Sequence, residues 1–186
     1  MARVKTISFV SGKGGTGKTT LTLLLGLALL RSGRRVRFVD LDPQRSLDGL
    51  LRLQRIESAL NAEFTLIDTA PRLESEDVAR AIRAADVVCI PTRPGIVDLS
   101  VAVNTSKVVA KLLPKEAKAL IVLNQVRRGT TASKEAEALD PGEFAVPVCS
   151  TPIALRECIQ RAMRLGWNAL DEAASNEVLS FALSLA

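Results

Sequence analysis

Short apolar runs alternate along the chain with longer segments in which apolar and polar residues recur at helical spacing. The apolar runs predict strands at residues 4–10, 35–40, 64–71, 86–91 and 117–126, with a weaker one around 144–148. The longer segments predict helices at residues 18–32, 46–61, 75–84 and 98–113, with weaker ones near 132–139, 153–165 and 175–185. Apolar strands that alternate with helices are typical of a parallel sheet covered on both faces. We therefore predict an α/β fold with a doubly wound, mostly parallel sheet, in a single domain over residues 1–186.

Polar residues follow the ends of four of the predicted strands. A glycine-rich loop follows the first strand, and the second strand ends at Asp40 and Asp42. Asp68 and Asn124 lie at the ends of two later strands. Ligands of open parallel sheets bind at the carboxyl ends of the strands, so we expect these residues to share one site.

The stretch SGKGGTGKTT, residues 11–20, contains the phosphate-loop pattern G-x-x-x-x-G-K-[ST]. Glycines let backbone N–H groups face a phosphate, and the helix that follows presents its positive end to the same charge. Lys18 would then reach the β- and γ-phosphates, and the Thr19 hydroxyl would bind Mg²⁺. The predicted nucleotide-binding residues of this loop are Gly12, Lys13, Gly14, Gly15, Thr16, Gly17, Lys18, Thr19 and Thr20.

Three carboxylates at strand ends are candidates for the chemistry of a bound triphosphate. In FVDLDPQ, residues 38–44, two carboxylates stand two residues apart. One can hold the water shell of the metal while the other orients an attacking water; the alternative is a pair of solvated acids in a turn. Asp68 ends an apolar strand, the usual position of a carboxylate that helps to hold Mg²⁺. The predicted metal-binding residues are Thr19, Asp40 and Asp68.

The composition argues against several other kinds of catalytic and binding site. The chain has no His, which is the usual general base and the commonest metal ligand. The cysteines form no C-x-x-C pair, so a zinc site or a disulfide framework is not expected; they are Cys89, Cys149 and Cys158. With five Phe, one Trp and no Tyr, base stacking is not a main binding mode. The net charge of +5 indicates a weak preference for polyanions.

No segment of the sequence predicts a membrane span. LTLLLGLALL, residues 21–30, lies between the glycine loop and RSGRR without a cleavage site, and we interpret it as a buried helix. No apolar run reaches the roughly 18 residues that a span requires. The final 16 residues are apolar but carry acids and no bases, so attraction to anionic lipid is not expected. These features predict a cytoplasmic protein.

Five motifs occur together in an order that resembles a known family. They are KGGTGKTT with its early lysine, DLDPQ, LIDTAP, IPTRPG and LNQV. The chain resembles the deviant Walker A ATPases of the ParA/MinD family, from about residue 4 to 126 and more loosely to 167. It is similar in type to the short ParA partition proteins (ParF-like), which lack an N-terminal DNA-binding domain.

The resemblance implies roles for individual residues, with ATP and Mg²⁺ as cofactors. In that family the early lysine, which matches Lys13, crosses a nucleotide-sandwich dimer and contacts the phosphates bound by the partner. The implied catalytic residues are Lys13, Lys18 and Asp42, the last as the carboxylate that orients water. Asp68 matches the Walker B position, Asp40 has a supporting role, and Asn124 lies near the adenine.

The resemblance also implies a biological role. It is that of a slow, partner-stimulated ATPase that forms a homodimer with ATP and positions or segregates DNA or other cargo, as in plasmid or chromosome partition. Hydrolysis would reset a dimer that binds DNA without sequence preference, with a small ParB-like adaptor as partner and a location on the nucleoid. Two alternatives stay open: a MinD-like membrane-associated positioning ATPase, and a nucleotide switch for a protein partner without DNA binding.

The segment 154–166 carries the candidate DNA contacts. At 100° per residue, three arginines of a helix there would fall within a sector of about 140°. These candidates are Arg156, Arg161 and Arg164. The alternative is a solvated face or pairing with nearby acids, and Arg127 and Arg128 are rival candidates.

The chain departs from the family pattern between Asp42 and Asp68. The 25 residues between them leave room for a single helix. Family members usually have an additional strand and helix there. We expect the missing material to affect the rim of a dimer and partner contacts while leaving the phosphate site whole.

Overall fold

The computed structural model describes residues 3–127, 129–138 and 141–185. Its strands are β1 (Lys5–Phe9), β2 (Val36–Asp40), β3 (Phe64–Asp68), β4 (Val87–Thr92) and β5 (Lys118–Leu123). They form one sheet in the order β2-β3-β1-β4-β5, and every pairing is parallel. The predicted α/β fold with a parallel sheet is confirmed.

Helices connect consecutive strands, and further helices come after the last strand of the sheet in the chain. They are α1 (Lys18–Arg31), α2 (Ser46–Leu53), α3 (Glu76–Ala84), α4 (Ile96–Leu112), α5 (Thr131–Ala138), α6 (Glu157–Leu165) and α7 (Glu172–Ser184). Short 3-10 turns lie at Pro141–Glu143 and Trp167–Ala169. No helix in the described part of the chain is long and apolar enough to cross a membrane.

Two predictions near the C-terminal end were wrong in extent. The strand expected around 144–148 is reduced to one parallel bridge between Val148 and Ile121. The helix expected from residue 153 begins only at Glu157. The N–H groups of Ile153 and Leu155 donate to carbonyls in and just after β5, so this backbone is extended and the helix starts later.

The sheet is covered on both faces by apolar cores. On one face, α1, α6 and α7 pack over side chains such as Ile7, Phe9 and Phe38. On the other face, α3 and α4 pack over Val88 and Ile90. Helix α1 is buried over most of its length, as predicted for residues 21–30. It lies so close to β2 that a Cβ added at Gly26 would come within 2.3 Å of the Phe38 ring.

The short connection between β2 and β3 covers the free edge of the sheet. The helix predicted over residues 46–61 ends at Leu53, and the segment after it follows this edge: the N–H of Ala59 donates to the Val36 carbonyl at 2.9 Å. The N–H of Phe38 donates to the Ser58 hydroxyl at 2.8 Å. Polar groups of an edge strand invite pairing with another chain unless they are satisfied. This segment therefore satisfies part of the β2 edge without an additional strand.

Candidate nucleotide site

The phosphate loop connects the carboxyl end of β1 to the first turn of α1. Its last residue, Gly17, has a φ of 98°, in the left-handed region that suits glycine. A Cβ at this position would lie 1.9 Å from Asn124 Nδ2, so a side chain does not fit. Gly17 is also the N-cap of α1, and no side chain among the described residues caps it. The first amides of the helix are therefore available to an anion.

Two side chains that follow β5 support the loop. Asn124 is 3% exposed, and its amide donates to the Thr16 carbonyl at 2.9 Å. Gln125 donates to the Gly15 carbonyl at 3.2 Å. This geometry favours a loop-supporting role for Asn124, whereas the resemblance implied a position near the adenine. Gln125 lines the pocket and was missed by the sequence reasoning, although it stands in the LNQV motif.

A pocket of about 280 Å³ lies over the loop. It brings together residues from the phosphate loop, the loop after β2 and the segments after β3 and β5. Its lining residues are Gly14, Gly15, Gly17, Lys18, Thr19, Thr20, Asp42, Pro71 and Gln125. Six of the nine predicted loop residues and Asp42 therefore line one pocket, as the strand-end argument predicts, whereas Gly12, Lys13 and Thr16 do not line it.

Thr19 and Asp68 form the innermost polar pair of the site. The Thr19 hydroxyl donates to Asp68 Oδ2 at 2.6 Å. Asp68 is fully buried, and its Oδ1 has no hydrogen-bond partner among the described residues. Burial raises the pKa of Asp68 from 3.8 to about 7, opposed by the Thr19 hydrogen bond and reinforced by repulsion from Asp40.

These two residues fit Mg²⁺. A buried carboxylate oxygen without a donor suits a cation or one of its bound waters, and the neighbouring hydroxyl is a second oxygen ligand. The part of the chain that the structure covers holds no cluster of three or more acidic or cysteine side chains that could bind a metal. In the usual Mg²⁺ site, one or two protein oxygens act together with phosphates and waters.

Asp68→Asn is expected to stabilise the protein at pH 8 when Mg²⁺ and nucleotide are absent. Between pH 4 and 7, Asp68 ionises in the unfolded chain but keeps its proton in the folded one, so the cost of burying its charge grows through this window. Above pH 7 the full cost lowers the parent's free energy of unfolding, by up to about 4 kcal/mol for a pKa raised by roughly three units. Urea unfolding in EDTA should show a higher free energy of unfolding for the variant than for the parent at pH 8. At pH 5 this difference should be less than half of its value at pH 8. A less stable variant at pH 8 would contradict this.

Asp40 and Asp42 have different surroundings despite their spacing. Asp40 is 4% exposed, and its two oxygens accept the N–H groups of Asp42 and Asp48 at 3.0 and 3.1 Å. Both oxygens already accept a backbone N–H, so this geometry favours the implied supporting role of Asp40 over the predicted metal-binding one. Asp42 is half-buried and lines the pocket, with Oδ1 accepting the Gln44 N–H at 2.9 Å.

Lys18 lies beneath the loop with little exposure to solvent. It is 7% exposed, and Nζ donates to the Lys13 carbonyl at 3.4 Å. Burial lowers the pKa of Lys18, while the charges of Asp68 and Asp42 act in the opposite direction. A bound anion would favour the charged form of this lysine in the same way as the carboxylates do.

Lys13 forms a contact within its own chain that the sequence reasoning missed. Its Nζ lies 3.1 Å from Asp98 Oδ1, and the Asp98 side chain is 9% exposed. Arg93 also binds Asp98, with Nη2 at 3.1 Å from Oδ1 and 3.2 Å from Oδ2. Asp98 stands in the first turn of α4, where the helix dipole stabilises a negative charge. Asp98 therefore has a second cationic partner and a helix end besides Lys13.

The three candidate DNA-contacting arginines do not share a helical face. Arg156 precedes α6, and its guanidinium is paired with Glu177 at 2.7 Å, because residues 153–155 are extended. This hydrogen bond raises the pKa of Arg156 further. Arg161 and Arg164 lie on α6 and are exposed. Arg127 is also exposed, and Arg128 lies outside the described residues.

Two features together define a phosphate-loop nucleotide-binding domain. One is a parallel sheet with a phosphate loop after its first described strand, and the other is the Thr–Asp pair beside that loop. The family profile described as "CobQ/CobB/MinD/ParA nucleotide binding domain" matches residues 7–166. The chain belongs to this family, so the resemblance drawn from its motifs is confirmed.

Individual relatives give the range of similarity. The chain is 29% identical over 140 residues to the maintenance of carboxysome distribution protein A of Gloeobacter kilaueensis, covering 66% of this chain and 63% of that protein. It is 29% identical over 120 residues to the protein ParA of Rhizobium radiobacter, covering 54% of each. The chain thus spans less than two thirds of the length of either relative.

The fold is also shared with a solved structure. A variant of Cyanothece McdA in complex with ATP superposes with a TM-score of 0.80 at 17% identity. The match covers 100% of this chain and 98% of that chain. At this level of identity, the likeness supports the fold rather than the activity.

Proposed function

We propose that the protein is a Mg²⁺-dependent ATPase that dimerises with ATP and whose hydrolysis step resets the dimer. The observation that carries this proposal is the Thr19–Asp68 pair, with its unpartnered carboxylate oxygen, next to Lys18 in a phosphate loop. Family membership supports the nucleotide, and the ATP complex of McdA is that of a protein with the same fold.

Different residues of the chain have different roles in ATP hydrolysis. The loop amides and Lys18 hold the β- and γ-phosphates, and Thr19 and Asp68 hold Mg²⁺. Bound Mg²⁺ supplies neutralisation of the negative charge that develops on the phosphates. Asp42 accepts a hydrogen bond from the attacking water and aligns it with the γ-phosphate. Asp40 keeps the Asp42 backbone in place through its hydrogen bond to the Asp42 N–H.

Lys13 makes turnover depend on a second copy of the chain. In the single chain its ammonium is held on Asp98. In the dimer the Lys13 ammonium contacts the phosphates bound by the partner instead of Asp98. Arg93 then remains paired with the nearly buried Asp98 carboxylate and neutralises its charge. A cation supplied in trans to a phosphoryl group acts like an arginine finger. This contribution is the reason for the second lysine of the loop.

The cargo is DNA or an assembly positioned on DNA, within the cytoplasm and on the nucleoid. The net charge of +5 supports binding to a polyanion. The names of the relatives, a carboxysome distribution protein and a ParA protein, support positioning and partition as the class of task. A small ParB-like adaptor would stimulate hydrolysis. A membrane role is less well supported, because α7 carries acids and no bases.

We expect slow ADP release from Mg²⁺-ATP and an ATP-dependent increase in mass from monomer to dimer. Light scattering with ATP or ADP measures the dimer, and ADP release with and without duplex DNA measures turnover. EDTA is the control, since it should remove turnover. A dimer that forms with ATP but releases no ADP under any of these conditions would favour the alternative, a nucleotide switch without hydrolysis.

A further inference from the structure

A second pocket lies at the amino-terminal ends of β1, β2 and β3, at the opposite end of the sheet from the phosphate loop. Its volume is about 550 Å³. Five of its lining residues are basic and one is acidic; the basic ones are Arg3, Lys5, Arg34, Arg35 and Arg37, and the acidic one is Glu63. The residues come from three separate segments of the chain, so this concentration of charge arises from the sheet rather than from one basic run.

Glu63 organises the arginines of this basic pocket without neutralising it. Its carboxylate lies 3.1 Å from Arg34 Nη1 and 3.7 Å from Arg35 Nη1. A hydrogen bond from the Arg35 N–H lowers the pKa of Glu63, so the carboxylate is ionised at neutral pH. Arg35 Nε also donates to the Asn61 carbonyl at 2.7 Å. Arg3 is paired with Asp86 beside the pocket, so two carboxylates face the five basic side chains and the surface stays positive.

The form of the pocket suits a polyanion that lies across the surface. The guanidinium-bearing side chains are open to solvent, with exposures of 83% for Arg3, 56% for Arg34 and 62% for Arg35. Arg37 is exposed on the edge strand β2, and no ion pair holds it among the residues described. A guanidinium fork matches the geometry of a phosphate. The pocket therefore offers several phosphate contacts, because the ion pairs with Glu63 and Asp86 leave these guanidinium groups largely exposed.

The surroundings favour a nucleic-acid backbone over bases or lipid. The lining contains one aromatic residue, the half-buried Phe64, which leaves little surface for base stacking. Exposed apolar side chains at the pocket are Val4 and Leu60, too few for the apolar face that inserts into a bilayer. Recognition then depends on phosphate charge, which is insensitive to sequence.

We propose that this basic pocket binds the phosphodiester backbone of duplex DNA and is the main DNA surface of the protein. The inference rests on the DNA-binding part of the proposed function and moves it from α6 to the amino-terminal end of the sheet. A strand of five residues spans roughly 15 Å, so DNA bound here does not compete with nucleotide at the other end.

The position of the pocket has a consequence for the dimer. Two chains that meet at their phosphate loops carry their basic pockets at the two outer ends, facing away from each other. Such a dimer holds two DNA segments rather than one. ATP should therefore raise affinity for long DNA, where both pockets find phosphates, and change little for a duplex of about 15 base pairs.

The test compares a pocket variant with a variant that loses the same charge from α6 and with a single-arginine variant of α3. Arg34→Ala/Arg37→Ala should bind a short duplex roughly ten-fold more weakly than the parent at low salt. The slope of log affinity against log salt concentration should be shallower by about two, because each lost phosphate contact reduces that slope by about 0.9. Arg161→Ala/Arg164→Ala and the exposed α3 variant Arg80→Ala should stay within about two-fold of the parent. ATP binding should be unchanged in all three variants, because none of these arginines lines the nucleotide pocket. Thermal stability should change little, because exposed ion pairs such as Arg34–Glu63 and Arg80–Glu76 contribute little to stability.

The outcomes separate this inference from the proposed function. A loss confined to the Arg161→Ala/Arg164→Ala variant would overturn the pocket and leave the ATPase and DNA binding in place. Pocket variants that lose binding to phosphatidylglycerol vesicles but keep DNA binding would also overturn it, in favour of lipid. A parent protein that binds no duplex at low salt would overturn both the pocket and the DNA-binding part of the proposed function, while ADP release and dimerisation report separately on the ATPase.

Discussion

Lys13→Ala is expected to bind ATP like the parent and to lose ATP turnover by about 10³-fold, the scale of a cation supplied in trans to a phosphoryl group. The reason is geometric. In the single chain the Lys13 ammonium contacts Asp98 at 3.1 Å, and its side chain is not among those that line the nucleotide pocket. Its removal should therefore leave the nucleotide contacts of the chain intact and remove a charge that the partner's phosphates need.

The measurement is nucleotide affinity and single-turnover hydrolysis on the same preparations. Lys18→Ala is the contrasting variant, since Lys18 lies beneath the loop, and it should lose nucleotide binding itself. Lys107→Ala, an exposed lysine on α4, is the matched control and should behave as the parent. A Lys13→Ala protein that hydrolyses ATP at the parent rate would show that the in-trans role is wrong.

Asp42→Asn is expected to accumulate as an ATP-bound dimer. The substitution keeps an oxygen that accepts the Gln44 N–H, a bond of 2.9 Å in the parent, and removes the charge that orients water. Under the proposed function, ATP binding depends on the phosphate loop and dimerisation on Lys13, so both should persist. Hydrolysis should fall by roughly 10²–10⁴-fold, the usual contribution of a positioned proton acceptor.

Size-exclusion chromatography with light scattering, in Mg²⁺-ATP and over time, measures this trapped dimer. The parent should return to monomer as ATP is consumed, and Asp77→Asn, an exposed carboxylate on α3, should follow the parent. Asp42→Ala should trap the dimer as well, because the charge rather than the turn is what hydrolysis requires. An Asp42→Asn protein that binds ATP normally but stays monomeric would move the catalytic role elsewhere, with Asp40 as the first alternative.

Local patterns were enough to predict the architecture. Five described strands lie where the apolar runs predict them, and the phosphate loop lies between β1 and α1. These predictions succeed because strand and helix formation follow the spacing of apolar residues, which neighbouring positions in the chain determine. The same holds for the convergence of Lys18, Thr19 and Asp42, since parallel strands bring their carboxyl ends to one edge.

The helix around residue 154 was misjudged for a reason that no local pattern contains. The sequence there is compatible with a helix that would display Arg156 beside Arg161. In the structure the backbone at 153–155 is hydrogen-bonded to β5 and the segment after it, and Arg156 pairs with Glu177, 21 residues further on. Long-range hydrogen bonds overrode a helical periodicity at this place.

The α/β fold, the phosphate loop and the convergence of Lys18, Thr19 and Asp42 on one pocket could thus be predicted from the amino-acid sequence alone. Only the tertiary structure decided that Asn124 supports the loop from behind, that Lys13 rests on Asp98 in the single chain, and that basic residues from three segments form one pocket. The physical reason is separation along the chain. Asp98 lies 85 residues after Lys13, and Asn124 lies 108 residues after Thr16. Contacts of this kind depend on how the strands are ordered and how the helices pack, and the spacing of residues in the sequence carries no record of them.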